Sequence, residues 1–184
     1  MGDAVPFRTR SFRAVPPNER PVKQRSAARV LLQDEAGALL LFRDTDPGVP
    51  GSSWWMTPGG GIDPGETAEA AAVRELAEET GLVMTVDQIG SPIARRTVTH
   101  GYSDQITIQA EVFFRMTVPR FSVSMTGHTE EEQRTIVDHR WLSEADARAS
   151  RLPVWPADAY ELAAATIEGV LDLGEVEEST VPVS

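Results

Sequence analysis

The chain contains no cysteine, which excludes disulfides, thiolate metal ligands and cysteine nucleophiles. Any bound metal must therefore be held by oxygen or imidazole. No stretch approaches the roughly 20 apolar residues needed to span a bilayer, and the opening MGDAVPFRTRSFRAVPP lacks the apolar core of a secretory signal. A cytoplasmic location without a membrane partner is the default expectation. Positive charge is also short, 17 Lys and Arg against 28 Asp and Glu, for a formal net charge of -11. Such a surface repels polyanions, so extended nucleic acid is not an expected partner, whereas a small phosphorylated substrate accompanied by a cation is. There is no internal repeat. Ser, His and Asp are too scattered for a nucleophilic triad, nothing resembles a nucleophile elbow, and covalent catalysis is not expected.

A chain of 184 residues suits one domain. Residues 1–25, rich in Arg and Pro without a clear period, read as an extended or partly flexible arm or a short edge strand; its basic run (Arg8, Arg10, Arg13, Arg20, Lys23, Arg25) reads first as solvated, and otherwise as a phosphate contact. The domain proper is expected over 26–172, with 173–184 a flexible acidic tail. Ala28–Gln33 and Ala38–Phe42, joined by Asp34-Glu35-Ala36-Gly37, predict an antiparallel hairpin. Thr67 as N-cap, helix formers from Ala68 to Glu79 and Gly81 as C-cap predict a helix. Ile106 to Arg115 alternates apolar and polar, predicting a strand with its apolar set inward. A polar connection over 117–132, a strand over 135–142, a short helix capped by Ser143 and a closing amphipathic helix over 157–171 complete the expectation.

The chemistry concentrates where Gly59-Gly60-Gly61 leads into that helix. On a helix Glu75 stands four residues from Glu79 and three from Glu78, so their carboxylates converge from one face. Clustered like charges repel and raise one another's pKa unless a cation neutralises them, and hard oxygen ligands suit Mg2+, with Mn2+ as the alternative. The glycines let backbone approach phosphate or metal closely. His100, His128 and His139 have no ligand spacing and are assigned no metal role.

From Gly60 the chain reads Gly60, five residues, Glu66, seven residues, then Arg74-Glu75-Leu76-Ala77-Glu78-Glu79-Thr80-Gly81-Leu82. This resembles the Nudix box, G-x5-E-x7-R-E-U-x-E-E-x-G-U with U aliphatic, at every fixed position. Chance would produce it roughly a few times per billion starting positions. The box spans Gly60 to Leu82, and the flanking pattern resembles the Nudix hydrolase superfamily over roughly Ser26 to Leu171.

That resemblance implies an α/β fold, an alpha/beta/alpha sandwich around a mixed β-sheet. It implies a metal-dependent hydrolase cleaving the pyrophosphate linkage of a nucleoside diphosphate derivative (ADP-ribose, a nucleotide sugar, a dinucleoside polyphosphate or a modified nucleoside triphosphate). The implied metal ligands are the Gly59 carbonyl, Glu75, Glu78 and Glu79. Glu66 and Arg74 resemble the family's supporting pair, the arginine orienting carboxylates. The expected catalytic set is Glu78, Glu132 and Arg74. Glu132 is favoured over Glu131 as a general base supplied by the loop Glu130–Glu132, with the box helix as the other source. Substrate contacts are expected from Arg43, Trp55, Gly60 and Gly61. Tyr102 and Phe113 read first as ordinary packing, and Arg95 and Arg96 as exposed surface. A homodimer is a further expectation of the resemblance. The competing class is a non-catalytic nucleotide-binding Nudix sensor, though such domains often lose the box carboxylates retained here. An isomerase branch resembling isopentenyl-diphosphate isomerase needs a cysteine that this chain lacks.

Overall fold

The computed structural model describes residues 10–183. After a 3-10 turn at Pro17–Glu19 the elements are β1 (Val22–Gln33), β2 (Leu39–Asp44), β3 (Trp54–Met56), β4 (Gly59–Gly61), α1 (Ala68–Thr80), α2 (Val86–Ile89), β5 (Ala94–Gly101), β6 (Ile106–Thr117), α3 (Glu130–Thr135), β7 (Asp138–Leu142), α4 (Glu144–Ala149), β8 (Val154–Trp155), α5 (Ala159–Ala164) and β9 (Leu171–Glu177). The strands form one mixed sheet in the order β8-β3-β2-β1-β6-β5-β9, with β4 also on β1 and β7 also on β2. Its spine is β1, parallel to β6 from Val22–Ile106 to Gln33–Thr117 and antiparallel to β4 from Ala27–Gly61 to Arg29–Gly59. Among the described residues no helix is long and apolar enough to cross a membrane.

Strand alternation feeds two cores, one on each face. Ala28, Val30 and Leu32 of β1 meet Ala71, Ala72 and Leu76 of α1 and Ile89 of α2, while Leu31 faces Trp55, Phe113, Ala147 of α4 and Leu162 of α5. Full burial of each large aliphatic side chain contributes roughly 2 kcal/mol. This is the expected α/β/α sandwich. Small alanines on α1 bring its axis close to the sheet, carrying the neighbouring Glu75 and Glu79 into the interior.

The hairpin turn, the α1 caps and the Ser143 cap form as their residues predict. Thr67 accepts from Ala70 N at 3.2 Å, Gly81 adopts φ 78°, and Ser143 Oγ accepts from Asp146 N at 3.1 Å. The expected boundaries change at both ends. β1 begins at Val22, inside the stretch assigned to an arm, and lies at the centre of the sheet rather than its edge; residues 1–9 of that arm lie outside the described residues. The expected closing helix over 157–171 ends at Ala164, because the Arg115 guanidinium draws in the carbonyls of Leu162, Ala163 and Ala165. The expected acidic tail contains most of β9, parallel to β5, and residues beyond it are bonded to the body. Residue 184 lies outside the described residues.

The orientation of β6 is also reversed over its first half. Thr107, Gln109 and Glu111 are buried, whereas Ile106 and Ile108 are half-buried and Ala110 is exposed. The polar set is inward because it meets Arg25, Arg29 and Arg96 there, so hydrogen bonding offsets desolvation.

Candidate active site

The turn into α1 is held by Arg74. Its Nε and Nη2 donate to the two oxygens of Glu66 at 2.9 Å each, Nη1 to Glu75 Oε1 at 2.7 Å, and Nη2 to the Gly61 carbonyl at 2.8 Å. The expected supporting pair is thus a bidentate clamp that fixes both the glycine loop and one carboxylate of the cluster. Gly59 N donates to Glu79 Oε2 at 2.7 Å. At Gly60 a Cβ would lie 2.6 Å from the Glu75 carboxyl atoms, so loop and carboxylate fit only around glycine.

Glu75, Glu79 and Glu132 each offer a ligand oxygen, and these oxygens lie within 4.8 Å of one another. Glu75 and Glu79 come from successive turns of α1. Glu132 arrives from α3, the first turn of which contains all of Glu130–Glu132, where a loop was expected. Thr129 N and Oγ1 donate to Glu132 Oε2 at 2.7 and 2.8 Å, and Glu132 N returns a bond to Thr129 Oγ1. This capping box was legible as Thr129-x-x-Glu132. Glu78 stands outside the trio, its carboxylate accepting from Arg74 at 3.4 Å. The Gly59 carbonyl accepts from Arg29 Nη1 at 2.6 Å, and a carbonyl oxygen retains a second lone pair for a cation.

Burial, then the charges of Glu75 and Glu132, push the Glu79 carboxyl well above its ordinary range. Three hard, anionic oxygens facing one another are a donor set suited to Mg2+ or Mn2+, and a cation would relieve their repulsion.

The cluster opens into a pocket of about 120 Å³ lined by Gly59, Gly60, Gly61, Glu79, Glu131 and Glu132 and by Lys23, Arg25, Arg29, Gln105 and Thr107, with Arg10, Asp44, Met56, Tyr102, Thr129, Thr135 and Ile136 completing it. Two expected substrate contacts are absent from this lining. Arg43 lies between Trp55 and Asp138 in the sheet, and Trp55 is buried in the core with Nε1 donating to Ser150 Oγ at 3.0 Å. Trp54 stacks on Trp155 with centroids 4.5 Å apart, so both adjacent rings serve packing. Phe113 is likewise core.

Sequence reasoning missed the cationic wall. Lys23, Arg25 and Arg29 alternate on β1, a two-residue period hidden when the stretch is read as an arm. Arg29 and Arg96 clasp buried Glu111, with bonds of 3.0 and 2.6 Å, and against the effect of burial these guanidiniums hold Glu111 down to about 2. Arg96 also grips both oxygens of Glu178, so it is a buried hub rather than exposed surface. Arg10 donates to Asp104 and lies 4.2 Å over the Tyr102 ring. Burial pushes Asp44 up to about 6 in the pocket wall, against the bond from Thr45 N.

The profile of the NUDIX domain matches residues 23–164. The chain is 43% identical over 61 residues to an RNA pyrophosphohydrolase of Erythrobacter litoralis, a match covering 33% of this chain and 36% of that protein, so it spans little more than a third of that relative's length. It is 28% identical over 137 residues to the dihydroneopterin triphosphate diphosphatase of Escherichia coli K12, covering 68% of this chain and 81% of that one. The solved structure of the E. coli dihydroneopterin triphosphate pyrophosphohydrolase superposes with a TM-score of 0.53 at 23% identity, covering 77% of this chain and 96% of that one, and so shares its fold. With the box at Gly60–Leu82 seated between loop and helix and the domain profile matching most of the length, the chain belongs to the NUDIX domain family.

Proposed function

We propose that this chain is a divalent-metal-dependent hydrolase that cleaves the pyrophosphate linkage of a nucleoside diphosphate derivative by attack of water at phosphorus. The observation that carries the reading is the convergence of ligand oxygens of Glu75, Glu79 and Glu132 within 4.8 Å of one another beside the glycine loop, next to a pocket also lined by Lys23, Arg25 and Arg29. The relatives named above as pyrophosphohydrolase and diphosphatase support the same class of reaction.

Glu75 and Glu79, with the second lone pair of the Gly59 carbonyl, would hold Mg2+ or Mn2+, and Glu132 would face the ion across the cluster. When bound, such an ion withdraws charge from phosphate oxygens and lowers the pKa of a coordinated water. Arg74 is a positioning residue: it orients Glu75 and fixes the Gly61 carbonyl, and its own guanidinium is occupied by these contacts and by Glu66. Gly60 leaves room for the Glu75 carboxylate beside the loop. Glu132 is the favoured proton acceptor, because Thr129 fastens Oε2 and leaves Oε1 to take a proton from the attacking water. Glu78, outside the trio and partly exposed, ranks behind it.

The test is release of phosphate or nucleotide from a panel of ADP-ribose, nucleotide sugars, dinucleoside polyphosphates and nucleoside triphosphates, each with Mg2+, with Mn2+ and with chelator. Metal-dependent cleavage of at least one class is expected. Binding across the panel without turnover would refute the reading and leave a nucleotide-binding module.

A further inference from the structure

The Gly59 carbonyl is gripped by a residue that lies outside the box. In the sheet register Arg29 of β1 is level with Gly59 of β4, and its Nη1 donates to the Gly59 carbonyl at 2.6 Å, with the Thr57 carbonyl 3.4 Å from the same nitrogen. The guanidinium thus reaches both ends of the turn Thr57-Pro58-Gly59. From the other side, Gly59 N donates to Glu79 Oε2 at 2.7 Å. With φ at 127° and the Ala28 carbonyl standing where a Cβ would go, the position is restricted to glycine, the residue with the freest backbone. A carbonyl on so permissive a residue keeps one direction only where something holds it.

Arg29 is itself immobilised. Its Nε donates to Glu111 Oε1 at 3.0 Å; that oxygen also accepts from Gln109 Nε2 at 2.6 Å, and Oε2 accepts from Arg96 Nε at 2.6 Å. Glu111 is buried, and the two guanidiniums outweigh the effect of burial and keep it ionised. A carboxylate at Nε and a carbonyl at Nη1 fix the guanidinium at two points, as an outer partner fixes the direction of a metal ligand. Charge gives no reason for a cation here. Arg29 lowers the pKa of Glu79, against the larger effects of burial, Glu75 and Glu132, and by the same Coulombic interaction it opposes a cation bound to that cluster. What it can contribute to metal binding is direction.

We propose that Arg29, held by Glu111, is a positioning residue that aims the Gly59 carbonyl at the divalent cation of the cluster. The inference rests on the hydrolase reading, which puts that cation at Glu75, Glu79 and the Gly59 carbonyl.

The experiment measures the Kd of the full chain for Mg2+ and for Mn2+ by calorimetry in wild type, Arg29→Lys and Arg29→Gln, with the fold checked by circular dichroism. Arg29→Lys keeps the charge but donates from a single nitrogen, which does not span Glu111 and Gly59 as the planar fork does. Its Kd should rise about 10- to 100-fold, the usual effect of losing a partner that orients a metal ligand. Arg29→Gln removes a positive charge from beside the carboxylates, so charge alone would tighten metal binding, whereas loss of aim should weaken it. An unchanged Kd in either variant, or tighter binding in Arg29→Gln, overturns the positioning role and leaves the hydrolase reading intact. Should Arg29→Gln fail to fold, Arg29→Lys decides, because it preserves the counter-charge of Glu111. A wild type that binds neither ion overturns the positioning role together with the hydrolase reading.

Discussion

Gly60 and Glu75 show how little tolerance the site has at the level of single atoms. A methyl group at Gly60 would stand 2.6 Å from the Glu75 carboxyl atoms, while Arg74 holds that carboxylate from the other side. Gly60→Ala is therefore expected to displace Glu75 and lower kcat by about 100-fold, the scale of a misplacement near 1 Å, with the fold retained by circular dichroism. Near-wild-type kcat would show that the cluster tolerates the shift. His100 offers a separate test away from the cluster. Burial lowers it to about 4 from 6.5, and its Nδ1 lies 2.7 Å from the Glu178 carbonyl. Between these values the unfolded chain binds the proton and the folded chain does not, so acidification through this window destabilises the fold. Asp44, raised to about 6, works in the opposite direction over part of the same range, so wild type alone does not isolate the effect. Relative to His100→Asn, wild type should lose about 3 kcal/mol of stability between pH 7 and pH 4, measured by denaturant unfolding; a constant difference would mean that His100 titrates normally.

At the level of elements, α1 was readable because its cap residues, its helix formers and its box carboxylates agree with one another. The capping box at Thr129-x-x-Glu132 was equally local but was masked by the acidic run Glu130–Glu132, which also reads as an exposed loop. Thr129→Ala should cost about 1 kcal/mol, the usual worth of an N-cap, and should lower turnover by more than that stability loss explains, since Glu132 Oε2 loses the Thr129 Oγ1 bond and is left with the Thr129 backbone N–H alone. Equal proportional losses would assign Thr129 a purely structural role. The inverted half of β6 was not readable from periodicity, because the choice of inward face depends on arginines contributed by β1 and β5. The same holds for the shortened α5: Ala159 to Leu171 carries a helical pattern, and it is the distant Arg115 that ends it.

Across the whole molecule, charge is organised against its average. An acidic chain keeps Lys23, Arg25 and Arg29 on one cleft wall and buries Arg96 between Glu111 and Glu178. The last of these contacts ties the segment after β9 to β5. Glu178→Ala leaves the Arg96 charge partly uncompensated and should cost about 3 kcal/mol, read from chemical denaturation; a loss below about 0.5 kcal/mol would place Glu178 among surface pairs. The mixed sheet and its helical layers were expected from the family resemblance, and the box carboxylates from spacing alone. The cationic wall and the two terminal segments that brace the body were not, since each depends on residues brought together from distant parts of the chain. The measurement that bears most directly on the central claim compares wild type with Glu79→Gln in Mg2+-dependent turnover and in the Mg2+-induced rise in Tm. The account predicts that wild type shows both, while the variant, folded and at least as stable without metal because a buried repelled charge is gone, shows neither; turnover and Mg2+ stabilisation unchanged by Glu79→Gln would contradict it.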